Sequence, residues 1–508
     1  MRKRYKRLIG SRLLVTVIAV LIQIAWLFSL LRFLAPYALL INMVLTIMAV
    51  FFVIYVSANQ EEPAYKSLWL ITILAFPLFG GILYLCFGNH RTSYPLKKRL
   101  DRTRMMMGPK PEQTPHTLQK LEQEDKRVAQ IFQYLRKQSG YPVCAVEQAE
   151  FYPLGEDLFA TMLRDLRGAR RYIFVESFII EEGCMWNNIL QILSTKASQG
   201  VDVRVIYDDV GSLTTLPPDY NMRLKAKGIS CIAFNPMRPI LSGTLNNRDH
   251  RKIMVIDESI AYSGGVNLAD EYINAVEKYG HWKDIGFRVT GPAAQNFADM
   301  FVEFWNAFAA KPIPRPEHRE EILPGRGNGF VLPYYDDPTD RKAISNHLYI
   351  ELLGQAKHYA WFYTPYLMLG DTLLDAFTRA VQRGVDVRIY LPGIPDKQLI
   401  YRISHSYYEP LLKAGVRIFE YIPGFLHAKA CLVDDELGVI GSVNLDFRSL
   451  FLHFECNALF YRANLLKPLR EDFLQTQEFC REIAVGDRPF GLHHQITDSL
   501  LRVIAPLC

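Results

Sequence analysis

Acidic residues are scarce at the start of this 508-residue chain: the first 110 positions hold 3 Asp/Glu against 15 Lys/Arg. The whole chain carries only +6, so residues 111–508 sum to −6. A nucleic-acid-binding domain shows a basic excess on its folded part. This chain has none there, which argues against a nucleic-acid partner. The eight cysteines (Cys86, Cys144, Cys184, Cys231, Cys431, Cys456, Cys480, Cys508) form no C-x-x-C pair. Neither a metal site nor a dithiol redox motif is indicated, and scattered thiols fit a reducing compartment.

What the first 90 residues do have is apolar length. Leu13–Leu31, Tyr37–Val56 and Leu68–Phe87 are each about long enough to cross a hydrocarbon core. Arg2, Lys3, Arg4, Lys6 and Arg7 precede the first run as they would in a secretory leader. However, the run is too long for one, no small-residue cleavage site follows, and two more runs come next. Residues 1–90 therefore read as a retained membrane anchor of two to three segments. Three complete spans would place Arg91, Lys97, Lys98, Arg99, Arg102 and Arg104 opposite the basic N-terminus, against the positive-inside rule. A hairpin of the first two runs, with the third dipping in and out at Pro77, Gly80 and Gly81, avoids the conflict. That reading gives a multi-pass protein of the cell membrane with the rest of the chain on the cytoplasmic face.

Residues 91–145 are polar and charged, with a helix expected over Thr117–Lys137, and form a connector. From Phe151 onward strand and helix patterns alternate, which predicts an α/β fold. Tyr172–Ile180 and Val201–Tyr207 read as strands, with a helix near Trp186–Ser198 between them. The order then returns. Gly200-Val-Asp-Val-Arg204 recurs as Gly384-Val-Asp-Val-Arg388, and Gly228-Ile-Ser-Cys-Ile232 as Gly415-Val-Arg-Ile-Phe419. His250, Lys252, Asp257, Gly264 and Asn267 recur as His427, Lys429, Asp434, Gly441 and Asn444, at a constant spacing of 177 residues. The chain thus contains two copies of one α/β unit, at 146–312 and 341–508, joined by a linker rich in Pro, Gly and charge at 313–340.

The repeated motif carries the chemistry. His250–Asp257 and His427–Asp434 are apolar enough to be buried strands, on which residues two apart share a face. His250 points with Lys252, and His427 with Lys429. Asp257 and Asp434 fall on the opposite face and are expected to hold the architecture together. The turns Ser263-Gly-Gly265 and Gly441-Ser442 lead to Asn267 and Asn444, whose amides can donate to a phosphoryl oxygen. Two imidazoles, two ammoniums and two amides suit a phosphodiester: one His attacks phosphorus and the other protonates the departing alcohol. The cations stabilise the growing charge without a metal or cofactor. Each ring also needs an acid to fix its tautomer. Asp284 and Glu455, each ahead of a strand-like run, are the candidates, and spacing leaves open which acid serves which histidine.

A double His-x-Lys-x₄-Asp motif in this setting resembles the phospholipase D superfamily, and nearly the whole chain is similar to the bacterial cardiolipin synthases. The likeness runs through Phe76-Pro-Leu-Phe-Gly-Gly81, Thr364-Pro-Tyr366, Leu426-His-Ala-Lys429 and Gly441-Ser-Val-Asn-Leu-Asp-Phe-Arg-Ser449. The resemblance implies a phosphatidyl transfer between two phosphatidylglycerols, giving cardiolipin and glycerol. It implies His250 as the nucleophile through a phosphohistidine, and His427 as the acid that later becomes the base. The expected partners are membrane phospholipids and the bilayer, with the oligomeric state left open. The competing readings are another membrane phosphatidyltransferase or a hydrolytic phospholipase D, then a tethered nuclease, then a scaffold without chemistry. Phe301, Phe304, Trp305 and Phe308, at helical spacing, read as core, and His493-His494 as a solvated pair. The apolar C-terminal stretch Ile496–Leu507 either packs on the domain or lies on the bilayer.

Overall fold

A computed structural model describes residues 17–29, 35–59, 62–88, 94–236, 246–316, 329–340, 342–487 and 492–508. The chain divides into an N-terminal unit, most of it residues 1–93, and a larger unit from Tyr94 onward.

In the N-terminal unit, helix Ala38–Ala58 follows the second apolar run. Among the described residues its stretch Leu39–Ala58 is the one long and apolar enough to cross a membrane, while Val17–Ser29 is shorter. The third run is not one rod. Helix Pro63–Ala75 stops at Phe76, whose backbone leaves the helical region, and Pro77 begins a second helix, Pro77–Leu83. Thirteen residues at ~1.5 Å each span ~20 Å, short of a ~30 Å hydrocarbon core. A Cβ at Gly80 would meet the Thr72 carbonyl at 2.5 Å, and one at Gly81 the Phe52 ring at 2.8 Å. The two glycines therefore let the short helix fold back on its predecessor and on helix Ala38–Ala58, around Phe52, Trp69, Ile73 and Tyr84.

The larger unit holds two mixed sheets. Its strands are β1 (Cys144–Ala145), β2 (Ala149–Tyr152), β3 (Tyr172–Ser177), β4 (Asp202–Asp208), β5 (Ser230–Phe234), β6 (Ile253–Ile256), β7 (Ile260–Gly264), β8 (His281–Lys283) and β9 (Gly286–Thr290). The second half supplies β10 (Phe330–Asp336), β11 (Tyr359–Tyr363), β12 (Asp386–Pro392), β13 (Arg417–Tyr421), β14 (Gly424–Leu426), β15 (Ala430–Val433), β16 (Leu437–Gly441), β17 (Glu455–Tyr461) and β18 (Cys480–Ile483). The first sheet runs β2-β9-β7-β6-β3-β4-β5. The second repeats that order as β10-β17-β16-β15-β11-β12-β13, with β1 and β18 added at its edges. Polarities match pair for pair: β3-β4-β5 and β11-β12-β13 are parallel, and the remaining neighbours are antiparallel. The repeated glycines also match, with Gly200 and Gly384 at φ +87° and +88°, where a side chain would be strained.

Three boundaries differ from the sequence reading. The stretch expected to be linker to residue 340 contains β10, which pairs with β17 over its whole length because its apolar residues are needed to cover that sheet. From Tyr94 onward the expected connector is part of the larger unit: Arg104 binds Glu303 at 2.7 Å and Asp337 at 2.5 Å, and Lys110 lies 3.3 Å from Glu303. Its expected single helix is two, Pro115–Glu124 and Lys126–Ser139, because Asp125 turns out to accept from the Arg127 and Val128 amides and caps the second. Helix Pro292–Phe308 packs against strands of both sheets, with Phe301, Phe304 and Trp305 buried and Phe308 partly so. The C-terminal helix Leu492–Ile504 packs on helix Gln398–Ser406 and leaves Ile496 and Leu500 exposed. The side chain of His493 lies outside the described residues, and that of His494 is exposed.

The repeated aspartates sit in tight hairpin turns. Asp257 and Glu258 link β6 to β7, and Asp434 and Asp435 link β15 to β16, both pairs at φ 51° and 61°. Left-handed backbone costs most residues and Asp less. Each carboxylate offsets it by accepting three backbone N–H groups, from Arg170, Arg171 and Tyr172 at 2.7–3.0 Å. The second copy takes those of Lys357, His358 and Tyr359 at 2.7–2.9 Å. The turn thereby fixes where β3 and β11 begin. Asp257→Ala and Asp434→Ala should each cost about 1–3 kcal/mol and lower Tm by ~2–6 °C. Thermal unfolding of the purified protein checks this, and an unchanged Tm would remove the aspartates from the architecture.

Candidate active site

The two histidines lie just ahead of their strands rather than within them. β6 begins at Ile253 and β15 at Ala430, because the backbone at each histidine is drawn to the other half of the chain. The His250 amide donates to the Phe454 carbonyl at 2.9 Å, and the Phe454 amide returns a bond to Arg248 at 2.9 Å. The His427 amide donates to the Lys283 carbonyl at 2.7 Å, at the end of a parallel pairing of β14 with β8. Lys283 and Phe454 each precede one of the candidate acids, so the backbone bridges carry the acids across.

The crossing decides what spacing left open. His250 Nδ1 lies 2.9 Å from both oxygens of Glu455, and His427 Nδ1 lies 2.6 Å from Asp284 Oδ2. Ser442 Oγ donates to Glu455 Oε2 at 2.5 Å. Its counterpart in the first copy is Gly265, where a Cβ would meet Asp284 Oδ1 at 2.1 Å. One half thus braces the carboxylate it sends across with a hydroxyl, and the other makes room for its own by lacking a side chain.

The lysines are buried beside their histidines. Lys252 Nζ donates to the His250 carbonyl at 2.5 Å. Lys429 Nζ contacts the His427 carbonyl and lies 2.8 Å from His427 Nδ1. Asn267 donates to Tyr272 Oη at 2.6 Å and accepts from the Ile179 amide at 3.2 Å. Asn444 donates to Asp446 at 3.2 Å, and its buried Oδ1 has no hydrogen-bond partner among the described residues. Aromatic rings wall the site, with Phe178 edge-on to His250 at 4.9 Å and Tyr272 edge-on to His427 at 5.3 Å. Ser442, Phe178, Tyr272 and His453, whose ring lies 5.7 Å from that of His250, were not singled out from sequence. Three stood within quoted stretches or beside them: Phe178 in the strand Tyr172–Ile180, Ser442 in the glycine turn, and His453 two residues before Glu455.

Burial holds both histidines well below the ordinary imidazole value, and the neighbouring lysines push the same way. Each lysine bears first on its own histidine and then on that of the other half: Lys429 acts on His250, and Lys252 on His427. The two copies therefore form one site. Burial also raises the Asp284 carboxyl to about 7 and lowers Lys252 to about 8 and Lys429 to about 7. His250, His453 and Glu455 bring three ligand-type atoms within 4.8 Å. The His250–Glu455 hydrogen bond already occupies two of them, and the pairing reads as acid and base.

Two seven-strand repeats sharing one His/Lys/acid centre define a duplicated phospholipase D-type fold. A family model described as cardiolipin synthase, PLD-like domain, matches residues 162–305 and 349–476. A second, described as phospholipase D-nuclease N-terminal, matches residues 44–89. The chain is 33% identical over 482 residues to a cardiolipin synthase of Geobacillus sp., covering 92% of this chain and 93% of that one. It is 31% identical to a cardiolipin synthase of Alkalihalophilus pseudofirmus, covering 92% and 93%. It is also 38% identical to an uncharacterized protein of Streptococcus mutans, covering 90% and 99%. Phosphatidylserine synthase of Haemophilus influenzae shares the fold, with TM-score 0.56 and 17% identity over 75% of this chain and 98% of that one. The chain belongs to the cardiolipin synthase family, and is a phosphatidyltransferase of the phospholipase D type.

The buried lysines give a pH signature. Each carries its charge only below its lowered pKa, so kcat/KM should fall as pH rises through 7 to 8, where Lys429 and then Lys252 lose their protons. A profile flat from about pH 6 to about pH 9 would contradict charged lysines at the reacting phosphate.

Proposed function

We propose that this protein makes cardiolipin, transferring a phosphatidyl group from one phosphatidylglycerol to the terminal hydroxyl of another and releasing glycerol. The observation that carries the division of labour is a difference between the two Nδ1 atoms. Among the described residues His250 Nδ1 faces the Glu455 carboxylate alone. It therefore donates, and leaves a lone pair on Nε2 for attack on phosphorus. His427 Nδ1 faces both Asp284 and the Lys429 ammonium. The Asp284 carboxyl, raised to about 7 by burial, holds a proton against Nδ1 and passes it to the ring as Nε2 gives its own to the leaving alkoxide.

In the first step His250 Nε2 bonds to phosphorus, the phosphorus–oxygen bond to glycerol breaks, and His427 gives its proton to that oxygen. In the second, His427 takes the proton of the incoming hydroxyl, whose oxygen displaces His250. Lys252, Lys429 and the amides of Asn267 and Asn444 supply positive charge and donors to the equatorial oxygens. The bilayer presents the second lipid at high effective concentration, which favours transfer over hydrolysis. The reading puts the catalytic unit on the cytoplasmic face, supported by the basic residues after Phe87 and the break at Phe76. Exposed Cys184 should then react with an impermeant thiol reagent only after cells are opened.

The test supplies purified protein with phosphatidylglycerol vesicles and follows products by mass spectrometry. Cardiolipin and glycerol should appear in equal amounts, and His250→Ala and His427→Ala should each abolish turnover while the fold is retained. Phosphatidic acid as the main product would point to a hydrolytic phospholipase D. Normal turnover in either variant would overturn the paired mechanism.

A further inference from the structure

His453 takes no part in the chemistry above, yet it is buried in the same centre, 9% exposed. Its backbone is fixed by donation to the Arg448 carbonyl at 2.9 Å. Its Nδ1 lies 3.7 Å from Glu455 Oε1, beyond hydrogen-bond range, and neither ring nitrogen has a hydrogen-bond partner among the described residues. Buried polar groups in folded proteins are almost always paired. An imidazole left with both nitrogens unmatched beside the nucleophile is costly unless the substrate completes it.

Resting on the transfer reading, we propose that His453 binds a free hydroxyl of the alcohol that accepts the phosphatidyl group, and so selects a polyol over a simple alcohol. Burial holds its pKa down to about 4, against the opposing pull of Glu455. The ring therefore offers one N–H donor and one acceptor nitrogen. A hydroxyl offers the same two functions in reverse. An ammonium head group only donates, and it would enter a site where the charges of Lys252, Lys429 and Lys397 already bear on His250. The hydroxyl held by His453 is not the attacking one, whose proton goes to His427. A vicinal diol supplies both, and ethanol supplies only the attacking group.

The experiment uses the full-length enzyme in vesicles with phosphatidyl-p-nitrophenol as donor, whose leaving group carries no polyol. Glycerol and ethanol compete as acceptors in one reaction. The readout is the ratio of phosphatidylglycerol to phosphatidylethanol, which a general loss of activity does not move. The wild type should favour glycerol. His453→Leu, which keeps bulk but offers no donor or acceptor, should lower the ratio about tenfold or more. His453→Asn, whose amide offers both, should keep part of the preference. A Leu variant within about twofold of the wild-type ratio overturns the assignment, and if that variant does not fold, His453→Ala is judged by the same criterion. Wild-type enzyme that yields only phosphatidic acid in this assay overturns the transfer reading beneath it.

Discussion

The bond between His250 Nδ1 and Glu455, and its counterpart between His427 Nδ1 and Asp284, each join residues from opposite halves of the chain, 205 and 143 positions apart. A histidine needs a fixed tautomer to act as nucleophile or acid, and here neither repeat supplies its own. Neither copy can therefore be competent alone. The duplication becomes an enzyme only when Phe454 pairs with Arg248 and His250, and β14 with β8. Those backbone bridges set the acids to within hydrogen-bond reach before any substrate arrives.

The rest of the larger unit supports that crossing. The sheets share a core built on helix Pro292–Phe308, and Phe287 and Phe460, one from each half, meet edge to face at 5.4 Å. Next to His250, buried Arg251 is held by Glu176 at 2.6 Å and Asp249 at 2.9 Å, and lies over the Phe304 ring at 3.9 Å. Breaking one partner of such a buried set leaves a charge without compensation, which is far costlier than the pair is stabilising. The motif's neighbours are consequently as constrained as the motif. Burial then sets the chemistry, because a site dry enough to keep two histidines neutral strengthens the lysines' effect on a phosphate.

Much of this was legible in the residues. The constant spacing of 177 revealed the duplication, and the α/β alternation its class. The two-residue step from His to Lys put both at one place, and the aspartates' distance from them pointed to a structural use. Apart from the local cap at Asp125 that splits the expected helix, the missing parts are set by contacts distant in sequence. The β10 strand lay in a stretch whose Pro and Gly content suggested a linker, and only pairing with β17 makes it a strand. The histidines precede their strands because the other half captures their backbone, which no local pattern encodes. The acids could be named but not assigned. The Pro77 break in the third apolar run was visible because proline acts on its own turn.

The most direct test of the crossed pairing is to ask which acid governs which chemical step. With a phosphatidyl-p-nitrophenol donor the leaving group needs no proton, so the first step depends on His250 and its acid alone. Rapid neutral quench and mass spectrometry of the peptide containing His250 then measure the covalent intermediate. Asp284→Asn should show a burst of nitrophenol and an accumulating phosphatidyl group on His250, because only its removal needs His427. Glu455→Gln should show neither. The reverse pattern, or equal accumulation in both variants, would contradict the assignment of each acid to the histidine of the other half.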